Sequence, residues 1–172
     1  MTADFCTSAC GESDEMSRAA RHAWVVIAYE IRMFNATYEI VLNAAALDRL
    51  PKVLANAVEE SAVLHTRILC DVFLSKSRGG DDIQLSHLFL DWNRNVKYDK
   101  IKEIIHDLRR LYGQAQKPGS HCWVFNKMMA HPTAHRSNSY DYTAILRSLC
   151  PVIQEIVAEI ESLRGVPFTW AW

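Results

Sequence analysis

The chain has 172 residues, 49% hydrophobic and 23% charged, with a formal net charge of −1. This length suits one domain with a sizeable core, and the near-neutral balance excludes nucleic-acid capture by overall charge alone. No run of about 18 apolar residues is present, which argues against a membrane span and against a membrane partner.

The first stretch, MTADFCTSACGESDEM, is small, polar and acidic, without a basic region followed by an apolar one, so it does not read as a signal peptide. Residues 1–15 are expected to be a disordered tail. From Met16 the pattern becomes helical: Trp24, Ile27, Ala28, Ile31, Phe34, Tyr38, Val41, Leu42 and Ala45 recur at three- and four-residue steps. This predicts one long helix reaching about Pro51. A second helix is expected from Pro51 to Lys76, with Leu54, Val58, Ser61, His65, Ile68 and Val72 on one face. SKSRGGDD breaks it, and IQLSHLFLDWN is too short to assign, fitting a turn of helix tucked against the core.

Asp99 is placed to cap a third long helix, with Ile101, Ile104, Ile105, Leu108 and Leu111 facing inward and Gly113 ending it. After the loop QAQKPGS, Ser120 caps a short helix through HCWVFNKMMA, which Pro132 should stop near His131. HRSNS offers caps for the last helix, whose stripe is Ile145, Leu149, Val152, Ile153, Ile156, Ile160 and Leu163. Pro151 should kink it, and Gly165 and Pro167 should close it. The sequence therefore predicts an all-α bundle of four main helices plus one or two short ones, as a single domain over 16–165 with a tail at 166–172.

Charge is uneven along the chain. Between Arg94 and Lys117 there are seven basic residues against three acidic ones, a stretch that fits either a solvated helix face or contact with phosphate. The five cysteines are Cys6, Cys10, Cys70, Cys122 and Cys150. An odd number in no disulfide spacing fits a reduced, cytoplasmic protein.

The most unusual stretch is NKMMAHPTAHR, residues 126–136. On a helical wheel of the second helix His65 falls in the centre of the apolar face, and Glu60, Arg67 and Asp71 fall together at its edge. Buried charges need partners, and Asn126, Lys127, His131, His135 and Arg136 supply cations and hydrogen-bonding groups. This predicts a polar tie between the second helix and the 126–136 segment, or a site that binds or cleaves a ligand. A metal site assembled from His65, His121, Cys122, His131 and His135 is conceivable, but no spacing requires one. No metal or cofactor is expected.

VEESAVLHTRILCDVF, followed some sixty residues later by FNKMMAHPTAHR, resembles bacterial HEPN-like proteins, including abortive-infection and phage-defence relatives. The matching residues are Glu60, His65, Arg67 and Asp71, then Asn126, Lys127, Ala130, His131 and Thr133. The resemblance implies an antiparallel, often dimeric bundle, and in many members metal-independent RNA cleavage. That cleavage uses an arginine followed, after four to six residues, by a histidine; no arginine in this chain has a histidine at that spacing. The expected function is a HEPN-like domain acting through self-association and contact with RNA or an antitoxin-like protein in bacterial defence. One alternative is an RNase using Arg67, His131 and Arg136 as a non-standard catalytic set. Another is a bundle that binds a metal or small molecule. Surplus aromatics, including PFTWAW at residues 167–172, add to the expectation of a homodimer.

Overall fold

In the computed structural model, which describes residues 18–75, 82–129 and 140–168, the first helical pattern becomes two helices rather than one. Helix α1 spans Arg18–Leu42 and α2 spans Ala44–Asp48. Asn43 leaves helical geometry at φ −90°, ψ 84°, and its side chain accepts the Ala46 N–H. An asparagine that caps a following helix in this way ends the preceding one, because side chain and backbone compete for the same N–H groups. Ala45, expected inward, is exposed on the new helix.

Pro51, fixed at φ −52°, starts α3 (Lys52–Phe73). This helix ends three residues earlier than expected. Its core is Ala62, Val63, Leu69, Cys70 and Phe73, while Leu54 in its first turn is 52% exposed and not part of the inward face. The following segment includes a 3₁₀ turn at Leu85–Leu88, which buries Leu85 and Leu88. The rings of Phe89, Trp92 and Tyr98 pack against one another at centroid distances of 4.8–5.4 Å and hold this connection against the core.

Helix α4 (Asp99–Tyr112) is capped by Tyr98, and Asp99 is its first residue, with its carboxylate 3.0 Å from Lys102 Nζ. Ile101, Ile104, Ile105 and Leu108 point inward as expected; Leu111 is at the surface, and Tyr112 takes the buried position beside it. Helix α5 (His121–Met129) follows, and α6 (Tyr142–Arg164) is started by Asp141, whose carboxylate accepts the Ala144 N–H at 2.8 Å. The cap is thus Asp141 and not a residue of HRSNS, which lies outside the described residues. Pro151 is exposed within α6, and the helix continues through it. Gly165 closes α6 in the left-handed region at φ 65°.

Every regular element among the described residues is helical, giving an all-α bundle. No described helix is long and apolar enough to cross a membrane. Helices α1 and α3 form the central pair. Glu30 of α1 and His65 of α3 are nearly equidistant along the chain from the connection, and they meet, which sets the two helices antiparallel. Helix α6 also runs antiparallel to α1. Trp24, near the start of α1, stacks on Phe168 just beyond the end of α6, whereas Tyr38, further along α1, meets Cys150 in the middle of α6. Phe168 is therefore docked on the body; Thr169–Trp172 lie outside the described residues, as do residues 1–17 with Cys6 and Cys10.

The Glu30–His65 contact is a buried carboxylate–imidazole hydrogen bond between the two helices. The imidazole Nδ1–H donates to the carboxylate Oε2 at 2.7 Å, and both residues are less than a tenth exposed. The Tyr29 ring meets the His65 ring edge-on at a centroid distance of 6.0 Å. Removing one member of such a pair strands a polar group in the core, whereas replacing both with apolar side chains does not. Glu30→Ala should therefore lower stability by roughly 3 kcal/mol, and Glu30→Leu combined with His65→Leu should cost much less. Urea denaturation of the two variants checks this; equal losses would show that the pair contributes only through packing.

Candidate functional site: a basic cleft between α3, α4 and α5

The residues expected to form one polar cluster are spread over three places. His65 is withdrawn into the α1–α3 interface by Glu30, a partner that sequence reasoning missed. Its signal was available: Glu30 stands on the inward stripe of α1, next to the buried Ile27, Ile31 and Phe34. Glu60 is exposed near the middle of α3. Its neighbour Glu59 has a carboxyl pKa raised by burial first, then by the carboxylates of Asp141 and Glu60. Arg67 and Asp71, one turn apart, are half-buried and pair at 3.8 Å between Nε and Oδ2, as their spacing suggested.

Asp71 and Asn126, from the two halves of the expected cluster, line the same cleft. It has a volume of about 970 Å³ and opens between the end of α3, the C-terminal half of α4, the loop after it and the start of α5. Its other polar walls are His106, Arg109 and Arg110 of α4, and Gln114, Gln116 and Lys117 of the loop. Lys127, in the last turn of α5, is half-buried and is not part of this wall. His131, His135 and Arg136, with Ala130 and Thr133, lie outside the described residues, so the expected contact of that segment with α3 does too.

The loop that forms the cleft's rim is held by one close approach. Gly113 ends α4 at φ 74°, and a Cβ on it would lie 2.8 Å from the Ser120 Cβ. Only glycine tolerates both that angle and that gap. Ser120 then uses its hydroxyl twice: it donates to the Gln114 carbonyl at 2.6 Å and accepts the Trp123 N–H at 3.1 Å. The second bond is the cap of α5 expected from the sequence. Beneath the rim, Tyr112 is fully buried against Phe125 and its phenol is pushed far above its usual range, chiefly by burial. Cys122 is buried beside it and receives a hydrogen bond from Asn126 Nδ2 at 3.5 Å.

The charge on the wall is one-sided. Arg109, Arg110 and Lys117 face Asp71 as the one carboxylate among the described lining residues. Elsewhere in the basic stretch the cations are engaged locally: Lys100 with Glu159, Lys102 with Asp99, and Lys97 over the Tyr98 ring. Arg110 pairs with Asp107 at 3.1 Å, while Arg109 and Lys117 have no ion pair among the described residues. A smaller recess of about 350 Å³ is lined by one cation and one carboxylate, Arg94 and Asp91. The larger cleft is thus where the basic excess is concentrated.

No group of three or more metal-ligating side chains occurs among the described residues. His121, at the start of α5, has a pKa lowered by burial, and its Nδ1 is enclosed with no hydrogen-bond partner among the described residues. Cys70, Cys122 and Cys150 are buried and form no disulfide with one another. Comparison with known protein families, with characterised proteins and with solved structures finds no match for this chain.

The crowding of carboxylates at Glu59 has a measurable consequence. A carboxyl pKa raised on folding means that its ionised form is disfavoured in the native state, so stability is lost as pH rises through the folded pKa. Glu59→Gln should raise the melting temperature at pH 7. The gain should vanish below about pH 4, where the carboxyl is neutral whether the chain is folded or not. Thermal melts of both proteins across that range check the sign.

Proposed function

We propose that this chain is a HEPN-like helical domain that binds single-stranded RNA in the cleft between α3, α4 and α5 and acts in a bacterial defence or toxin–antitoxin setting. The observation that carries the reading is the cationic wall of Arg109, Arg110 and Lys117, with His106 beside it, in a cleft large enough for a few nucleotides. Of these, Arg109 and Lys117 have no ion pair among the described residues, and phosphate oxygens are the natural partners of such groups. The resemblance of VEESAVLHTRILCDVF and FNKMMAHPTAHR to HEPN-like proteins supports the same direction. The reading is one of binding. Arg67, one of the three residues considered for catalysis, is turned to Asp71, and the standard arginine–histidine spacing is missing.

Self-association belongs to the same proposal. Val25 and Tyr29, one turn apart on α1, and Leu64 on α3 are 61%, 45% and 45% exposed. Tyr29 meets the ring of His65, the residue that follows Leu64 on α3. Apolar side chains grouped at the surface favour a partner, and a second copy buries the same patch on both sides. Sedimentation at tens of micromolar should show a dimer that Val25→Asp shifts toward monomer; a monomer at all concentrations would remove self-association from the reading.

For RNA, the expected result is a salt-dependent affinity for a labelled single strand. Each phosphate contact contributes a slope of about −0.7 in log K against log salt. Arg109→Ala with Lys117→Ala should weaken binding about tenfold or more at low salt and flatten the slope by roughly one unit. Unchanged affinity in that variant would move the interaction away from the cleft, and absence of RNA binding by the intact chain would defeat the proposal.

A further inference from the structure

We infer that the cleft holds the terminal phosphomonoester of an RNA strand, with His106, Arg109 and Arg110 as its donors; this rests on the RNA-binding reading above. All three residues line the cleft and are exposed on α4. His106 precedes the two arginines by three and four residues. Helix geometry alone makes it the surface neighbour of both, at about 5–6 Å between Cβ atoms. Neither His106 nor Arg109 has a hydrogen-bonded or ionic partner among the described residues. Arg110 gives one N–H to Asp107 Oδ1 at 3.1 Å, in an exposed pair, and a guanidinium has about five N–H donors. An imidazole offers an N–H in either protonation state. One turn of helix therefore presents donors from three side chains to one cleft. Helix α4 ends at Gly113 in the same wall. A helix C-terminus presents carbonyls and disfavours anions, so the side chains carry the attraction.

The two kinds of RNA phosphate differ in what they offer these donors. An internal phosphodiester has two free oxygens, carries a single charge and is flanked by sugar on both sides. A terminal monoester has three free oxygens and a charge of about −1.5 to −2 at pH 7, and it is flanked on one side only. Donors from three side chains outnumber the free oxygens of the first and match those of the second. Successive phosphates of a strand are separated by a ribose, so donors from a single turn, about 5.4 Å long, gather on one of them. Lys117, on the loop beyond the helix, is left for the next phosphate of the strand.

The test uses the full chain and hexauridine ending in a 5′-phosphate, a 3′-phosphate or the methyl ester of either. Each is labelled at the opposite end and compared by fluorescence anisotropy with the same labelled strand ending in a hydroxyl. The free monoester at one end should tighten binding about tenfold over the hydroxyl strand, and the end that does so names the terminus recognised. The methyl ester, which has the free oxygens and charge of a phosphodiester, should lose most of that gain. His106→Ala should bring the ratio of monoester to hydroxyl affinity close to one, whereas Lys97→Ala, outside the cleft, should leave the ratio unchanged. No gain at either end, a methyl ester that binds as tightly as the monoester, or a ratio that His106→Ala leaves intact overturns the inference. RNA binding itself stands in those cases, provided the Arg109 and Lys117 substitutions weaken every strand; absence of binding to any strand overturns both. Should His106→Ala fail to fold by circular dichroism, the methyl ester comparison decides alone.

Discussion

A carboxylate and an imidazole enclosed between two apolar helix faces allow few alternative arrangements. Glu30 and His65 are each withdrawn from water, and each satisfies the other. A slip of α1 along α3 by one turn would separate them and leave a charge in the core, at a cost that no exposed pair approaches. The contact therefore holds the register of the central helix pair. With that register set, Ile27, Ile31 and Phe34 meet the buried face of α3, and α6 packs its Leu149, Ile153, Ile156 and Ile160 against the pair.

The two ends of the bundle are finished differently. At one, Trp24 stacks on Phe168 at 4.0 Å, Arg164 lies over the Trp24 ring, and the Phe168 N–H donates to Glu161. These contacts draw the segment beyond α6 back over the start of α1. In the middle of α6, Cys150 hydrogen-bonds Tyr38, whose phenol pKa is pushed up to about 12, first by burial and then by that bond.

The cleft is open because its elements meet at their ends. Helix α4 begins beside the C-terminal half of α6, where Lys100 pairs with Glu159, and finishes at α5 with Tyr112 against Phe125. The cleft is lined by the last turns of α3 and α4, and the close approach of Gly113 and Ser120 shapes the rim. Local ion pairs neutralise the basic residues at the start of α4, so positive charge gathers at its far end. In the proposed function this end meets phosphate.

Much of the fold was legible in the sequence, because apolar spacing reports which face of a helix is buried. The stripes of α1 and α6, the inward Ile101, Ile104, Ile105 and Leu108, the stop at Gly113 and the cap at Ser120 all follow from local rules. The exceptions were also local, since competing caps at Asn43 and Asp141 decided boundaries that periodicity does not resolve. The Arg67–Asp71 pair was legible for the same reason, being one turn apart on one helix. Only tertiary structure decided which distant groups meet. Helix α1 supplied Glu30 to His65, and the packing of α3 with α4 brought Arg109 and Lys117 into one cleft with Asp71. Those pairings depend on how helices pack across sequence separations that a local pattern does not encode.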